Sequence, residues 1–444
     1  MVKIITNGTV VTRDSQGKII FDGAVVCQNN SIVEVGKATE IKQKYPDAEY
    51  IDAHGGIIMP GFINPHAHAY CSFTRGLGMK GFVPKNFMDN LKNKWWYIDS
   101  KFTLEQCRQM ARVSFLEAIK NGVTTEFDHH ASFGNITGSL SELGAAAKEI
   151  GIRACLCYEV SDRAGKENAR KAVDENIAWL RQSEKEDCLT GMMGLHASFT
   201  LSDETMKYAI QQMEGNQAYH IHVAECMEDE EECVEKYGIR IIERLNRLGM
   251  LGKQTLIAHG VYLDEFELEQ IKEKDAMVVS NPESNMNNAV DCPPGMELVH
   301  RGIVTGLGMD GFTHDMVSAW RIANALYKYV SRDINCGWEE LPNMIFQGNA
   351  AIASRCFGKK IGGIEKGAAA DIIVVNYFSP TPLDASNINA HILFGMSGKD
   401  VVTVMCNGNI LMQDRKLIGI DEEKLYAEAR IEAEKLWKQI EKRK

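Results

Sequence analysis

The chain has 444 residues, 45% hydrophobic and 25% charged, the composition of a globular protein longer than one ordinary domain. Its net charge of −11 argues against nucleic acid and anionic membrane as partners and leaves a small molecule as the expected one. The 12 cysteines lie singly and no apolar run approaches the roughly 18 residues that span a bilayer, so reduced thiols and a cytoplasmic location are expected.

In chain order, the opening MVKIITNG runs straight into a strand pattern. Up to Ile58, β-branched runs are punctuated by Asn7-Gly8, Gln16-Gly17, Asp22-Gly23 and Asn29-Asn30, which is the grammar of hairpins. Apolar strands then alternate with helical patterns, with strands expected at 57–64, 122–128, 153–160, 189–197, 218–224, 255–261, 276–281 and 303–309. Thr103-Leu104-Glu105-Gln106 is a capping box that opens one helix. Other helices run from about Ser139 to Gly151 and from about Asp229 to Gly249. Alternating units with continuously apolar strands imply a parallel sheet covered on both faces, and eight of them imply an α/β fold of the (β/α)8 barrel type with its chemistry at the C-terminal strand ends. Strand grammar returns at Ile364 and runs past Val401. Residues 1–58 and 360–418 are each too short to bury a good core, so together they are expected to form a small flanking β-sandwich. The barrel then occupies 59–359, and 419–444 is an amphipathic helix.

Seven of the twelve histidines fall at the ends of expected barrel strands: His66, His68, His129, His130, His196, His222 and His259. Residues i and i+2 of a strand share a face, so His66 and His68 project together, as metal-binding imidazoles do. On the fifth strand His222 lies nearer the C-terminal end than His220, which is read as structural along with His54, His300 and His391. Glu225 has left that strand and can curl over an ion as general acid and base. On the eighth, Asp310 sits between glycines and is a further ligand candidate.

Several features together resemble the amidohydrolase superfamily, in the branch of atrazine chlorohydrolase, guanine deaminase and cytosine deaminase, and within it the SsnA-type aminohydrolases. They are Pro60-Gly61-Phe62-Ile63-Asn64 leading to His66 and His68, His222-x-x-Glu225, Ala258-His259, Asp310, and the flanking signature from Gly362 to Asp371. The resemblance covers essentially the whole chain. It implies His66, His68, His222 and Asp310 as ligands of one divalent metal, Glu225 as proton shuttle, and His259 as partner to the water or the attacked carbon. Two-metal members bridge their ions with a lysine on the fourth strand; none occurs between Cys188 and Thr200. Zinc suits three nitrogens, a carboxylate and an open position, and iron fits the same donors.

The expected reaction is hydrolytic deamination of an amino-substituted nitrogen heterocycle, purine-, pyrimidine- or triazine-like, with release of ammonia. Expulsion of chloride or opening of a cyclic amide would use the same groups, and a non-catalytic barrel would be expected to have lost them. His129, His130, Arg163, His196 and Asn281 are the candidates to bind the substrate. Arg75, the Trp95-Trp96 pair, Asp162, Ser284, Asn285 and His314 lie near the expected mouth. An inward Arg163 would favour an anionic or carbonyl-edged substrate. The assembly is expected to be a homodimer.

Overall fold

The computed structural model describes residues 2–442. Eight parallel strand positions form the barrel: β1 (Phe62–Ala67), β2 (Val123–His130), β3 (Arg153–Tyr158), β4 (Leu189–Gly191 and Met193–Ala197), β5 (Tyr219–Val223), β6 (Leu256–His259), β7 (Met277–Ser280) and β8 (Val304–Leu307). They pair as a four-stranded and a five-stranded sheet, and the bridges Val160↔Leu195 and Ala67↔Asp310 close the ring. Nearly every residue of these strands is buried, as expected where helices cover the outside and side chains fill the inside. The Ala67↔Asp310 closure is also functional in its placement, since it sets the end of β8 beside the two histidines of β1.

The helix opened by Thr103 carries its full capping box with Gln106, and Gly151 ends the Ser139–Ile150 helix in the left-handed conformation, as the sequence indicates. The single helix expected from Asp229 to Gly249 is instead two, Met227–Tyr237 and Ile241–Leu248. Gly238, at φ 71°, closes the first of them by donating to the Val234 carbonyl.

The flanking domain is one nine-stranded sheet drawn from both chain ends. Ile57–Pro60 pairs antiparallel with Ile372–Val375, and the sheet folds over so that Ser31 bridges Ala369. Ile5, Val25, Ile58, Ile372, Val374 and Met405 fill the space between its layers. The final helix, Glu422–Ile440, lies on the Leu104–Lys120 helix, joined by Arg112–Glu428 at 2.8 Å, and its Trp437 donates to the Phe73 carbonyl.

The strand expected over 57–64 is therefore split. Met59 and Pro60 belong to the flanking sheet, and β1 starts at Phe62. The break is Gly61, whose N–H donates to the Asp371 carbonyl while its α-carbon presses on β2: a Cβ there would lie 2.2 Å from Thr124 Oγ1. Gly61→Ala should lower stability by about 1–3 kcal/mol, the scale of overpacking, and adding Thr124→Ala should recover much of that. Equal denaturation midpoints for wild type and Gly61→Ala would refute this account of the junction.

Candidate active site

The C-terminal ends of β1, β5, β6 and β8 bring His66, His68, His222, His259 and Asp310 together. Groups of three among them, His66–His68–Asp310 and His66–His222–His259, have their donor atoms within 4.8 Å of one another. The hydrogen bonds behind the rings fix which nitrogen carries the proton. His68 Nδ1 lies 2.6 Å from the His129 carbonyl and His222 Nδ1 lies 2.8 Å from the His196 carbonyl, so both Nδ1 atoms donate. In the neutral ring the lone pair is then on Nε2. The two Nε2 atoms face each other at 3.3 Å, and His68 Nε2 is 3.1 Å from Asp310 Oδ1. His66 Nδ1 pairs with His220 Nε2 at 3.0 Å, leaving His66 Nε2 buried with no partner. Converging lone pairs and a carboxylate repel one another unless a cation lies between them. Burial would lower His68, but the hydrogen bond and charge of Asp310 outweigh it and raise the ring to about 9. A proton on Nε2 thus screens the carboxylate, and a divalent metal taking that proton's place fits the donor set.

His259 differs. Its Nδ1 accepts from the Asn285 side-chain amide at 3.1 Å as that amide is oriented, so Nε2 bears the proton. That Nε2 has no partner and points between Glu225, 3.7 Å away, and Asp310, 3.8 Å away. It is placed to donate to a reacting oxygen. Three residues at these strand ends turn through the left-handed region: Ala224 at φ 49°, His259 at φ 73° and Asp310 at φ 56°. Strain of this kind, unfavourable for residues with a side chain, clusters at functional sites. The turn at Ala224, held by a 2.9 Å hydrogen bond from its N–H to Asp229, is what curls Glu225 over the cluster. The Pro282–Asn287 helix after β7 supplies a partner to each group: Ser284 donates to Asp310, Asn285 donates to His259, and Asn288, just beyond the helix, donates to Glu225 at 3.2 Å.

Burial, and then the Asp310 carboxylate, push Glu225 up to about 8. Burial would raise Asp310 too, but its hydrogen bond and attraction to His68 outweigh that and hold it well below the usual carboxylate range. One carboxyl is thus protonated at neutral pH and the other ionised.

A cavity of about 190 Å³ opens in front of these groups, walled by Tyr70, Trp95, Trp96 and Phe199. His196 lines it, with Nδ1 bonded to Thr200 Oγ1 at 2.7 Å. Arg163 also lines it and is buried, but its charge is already answered. Nη1 lies 2.8 Å from Glu159, Nη2 bonds Asp99, and the guanidinium stacks 4.2 Å from the Phe133 ring centre. Burial alone would raise Glu159; His196, Arg163 and His129 overcome it and keep that carboxyl ionised. Burial pushes Asp99 up to about 8, so the three-residue cluster is neutral overall. The cavity offers no free cation there, and the anionic substrate conditional on an inward Arg163 loses its support.

His129, His130 and Asn281 do not line the cavity. His129 faces the barrel interior, its ring 4.5 Å from that of His222, and donates to the His220 carbonyl at 3.2 Å. His130, the next residue on the strand, must point the other way, and it packs against Tyr158 with both ring nitrogens unpartnered. Asn281 is fully buried at the start of the post-β7 helix, where a Cβ on Gly308 would lie 2.4 Å from its Oδ1. Glu159 and Asp99 are among the cavity residues that sequence reasoning passed over. Glu159 was within reach of it, one residue beyond β3; Asp99 sits on a short helix with no motif to mark it.

The amidohydrolase family model matches residues 57–411. The chain belongs to the amidohydrolase family. It is 31% identical over 441 residues to a 5-methylthioadenosine/S-adenosylhomocysteine deaminase of Pelotomaculum thermopropionicum, covering 98% of both chains. It is 30% identical to a 5'-deoxyadenosine deaminase of Methanobrevibacter smithii, covering 97% of this chain and 99% of the other. Among solved structures, an adenosine deaminase from Xanthomonas campestris with bound zinc shares the fold at a TM-score of 0.87 and 23% identity, with 98% of each chain covered. The barrel and flanking sheet are thus those of the family. Among the described residues no helix of this amidohydrolase is long and apolar enough to cross a membrane.

Arg163→Met would leave the Glu159 carboxylate buried without its counter-charge and Asp99 without its hydrogen-bond partner. It should cost about 3–5 kcal/mol of stability, as breaking a buried pair does, and leave metal content unchanged. A melting temperature equal to wild type would show that Asp99 and Glu159 do not depend on the guanidinium.

Proposed function

We propose that this amidohydrolase removes ammonia from an aminopurine carried as a neutral nucleoside, using one divalent ion, zinc, held by His66, His68, His222 and Asp310. The observation that carries the reading is the division of ring nitrogens: the Nε2 lone pairs of His68 and His222 and the unpartnered Nε2 of His66 converge with Asp310, whereas His259 turns an N–H toward the cavity. When bound, the ion supplies the Lewis acidity that makes water nucleophilic at neutral pH.

The chain's own groups do the rest. Asp310, ionised and held by Ser284, takes the proton of the attacking water. His259 Nε2 donates to the incoming oxygen and aims it. Glu225, protonated at neutral pH, delivers its proton to the ring nitrogen beside the amino-bearing carbon, which makes that carbon electrophilic. The proton gathered by Asp310 then leaves with the amine as ammonia, and the proton still on the added oxygen returns to Glu225 as the carbonyl forms. Trp96 and Phe199 wall the cavity for a flat ring. Asp99 Oδ1 and Trp96 Nε1, both on cavity-lining side chains, are buried without partners. A carboxyl oxygen and an indole N–H left unpartnered beside the cavity suit hydroxyl groups, which both give and take a hydrogen bond, as on a sugar. The nucleoside deaminases among the relatives agree with this substrate class.

Zinc-loaded protein given a panel of aminopurine nucleosides and free bases should release ammonia from the nucleosides at higher kcat/KM. Faster release from free bases would overturn the sugar assignment, and no release from any member would overturn the deaminase. The purified chain should hold close to one equivalent of metal. Glu225→Gln should keep that metal and lose activity by roughly 10²- to 10⁴-fold, whereas His222→Ala should lose the metal itself. Loss of metal from Glu225→Gln would mean the two roles are wrongly assigned.

A further inference from the structure

A second buried polar cluster lies outside the cavity, and the reaction makes no use of it. Glu126 on β2 is fully buried, and its neighbours Ser114, on the Leu104–Lys120 helix, and His314, in the loop after β8, are buried as well. His314 Nδ1 lies 2.7 Å from Glu126 Oε2, an ion-pair contact without hydrogen-bond alignment, and His314 Nε2 lies 3.1 Å from Ser114 Oγ. In outline this is an acid, a base and a hydroxyl in series. Ser114 Oγ also reaches Glu126 Oε1 at 3.4 Å, however, so the three close into a ring and the hydroxyl is not a free nucleophile. A buried carboxylate is costly unless it is used, so its other contacts carry the meaning.

Those contacts converge on the stretch that bears Asp310. At one end, Glu126 Oε2 accepts from Asn64 Nδ2 at 3.4 Å, and Asn64 Oδ1 in turn accepts the Met309 N–H at 3.1 Å. At the other end stands His314. One carboxylate thus grips the segment on both sides of Asp310, directly at residue 314 and through Asn64 at residue 309. Backbone hydrogen bonds with His66 and His68 hold Met309 and Asp310 themselves, but the residues that follow are backed less fully. A cavity of about 270 Å³ lies behind them, lined by Ser114, Gly311, Phe312, Thr313 and His314. A wall with nothing behind it loses its dispersion contacts and moves easily. Asp310 meanwhile keeps a strained left-handed backbone, which persists only where its surroundings over-determine it.

We propose that Glu126, acting through His314 and Asn64, is a positioning residue that sets Asp310 for the metal. The proposal rests on Asp310 being a ligand. None of the three members of the cluster touches substrate or ion. The role is that of an outer partner orienting a ligand, and loss of such partners weakens metal binding by about 10- to 100-fold.

The test uses the full chain stripped of metal and titrated with Co²⁺, reading affinity and the visible ligand-field spectrum, with the melting temperature of the metal-free protein in parallel. His314→Leu should weaken Co²⁺ binding by about 10- to 100-fold and change the spectrum. His314→Asn, whose amide can donate to Glu126 from the place of Nδ1, should restore both. The double variant His314→Leu/Glu126→Leu replaces the buried polar pair with an apolar one, which proteins commonly tolerate, so it keeps the chain folded should the single variant fail. It should match wild type in melting temperature while still binding Co²⁺ weakly. Wild-type affinity and spectrum in the double variant would overturn the proposal and leave the cluster a purely structural one. Asp310→Asn in the same titration separates the two claims. If it binds Co²⁺ as wild type does, the ligand assignment fails. If it binds weakly while the His314 and Glu126 variants do not, the positioning role alone fails.

Discussion

Two hydrogen bonds, from His68 Nδ1 to the His129 carbonyl and from His222 Nδ1 to the His196 carbonyl, decide what the centre of this barrel can bind. Each acceptor is a backbone oxygen of a neighbouring strand, so the tautomer of each ring follows from strand register. A shift of one residue in β2 or β4 would turn these carbonyls away and free the rings to protonate on either nitrogen. The proposed metal chemistry therefore depends on the accuracy of the parallel sheet. The buried core of barrel and helices is what maintains that accuracy.

The groups proposed to handle protons are held differently. Glu225, His259 and Asp310 sit at or just past strand ends, after or within left-handed turns, each with a hydrogen bond from the Ser284–Asn288 region. One short helix thus addresses all three. The rings that would hold the ion are anchored by the sheet, while the groups that would move protons are anchored by side chains on a separate element. A change in one set need not disturb the other.

Much of this was legible in the sequence because it follows from period and parity. The shared face of His66 and His68, the capping box at Thr103 and the terminating Gly151 are local rules, and they hold. What stayed illegible depends on partners far away in the chain. Arg163 faces inward, as allowed for, yet what it offers a substrate is set by Asp99, 64 residues earlier. His129 and His130 could both be placed at a strand end, but adjacent residues cannot share a face, and only the register of β2 decides which enters the barrel. Pro60 looked like part of the first barrel strand because Ile57–Ile63 is apolar throughout. The division at Gly61 comes from Asp371 and Thr124, neither of which its neighbours reveal. The helix break at Gly238 was local and could have been read from the glycine itself.

The flanking sheet has a consequence for how the chain is made. Ile57–Pro60 sits between Val2–Val11 on one side and Ile372–Val375 on the other, so one edge of it finds its partner only after the whole barrel has been synthesised. At typical elongation speeds that delay is on the order of tens of seconds. Throughout it, an apolar strand edge stands open on the ribosome-bound chain, able to pair with another such edge on a neighbouring nascent copy. Closure of the sheet is a late, long-range event, and slower translation through the barrel lengthens the time that edge stays open.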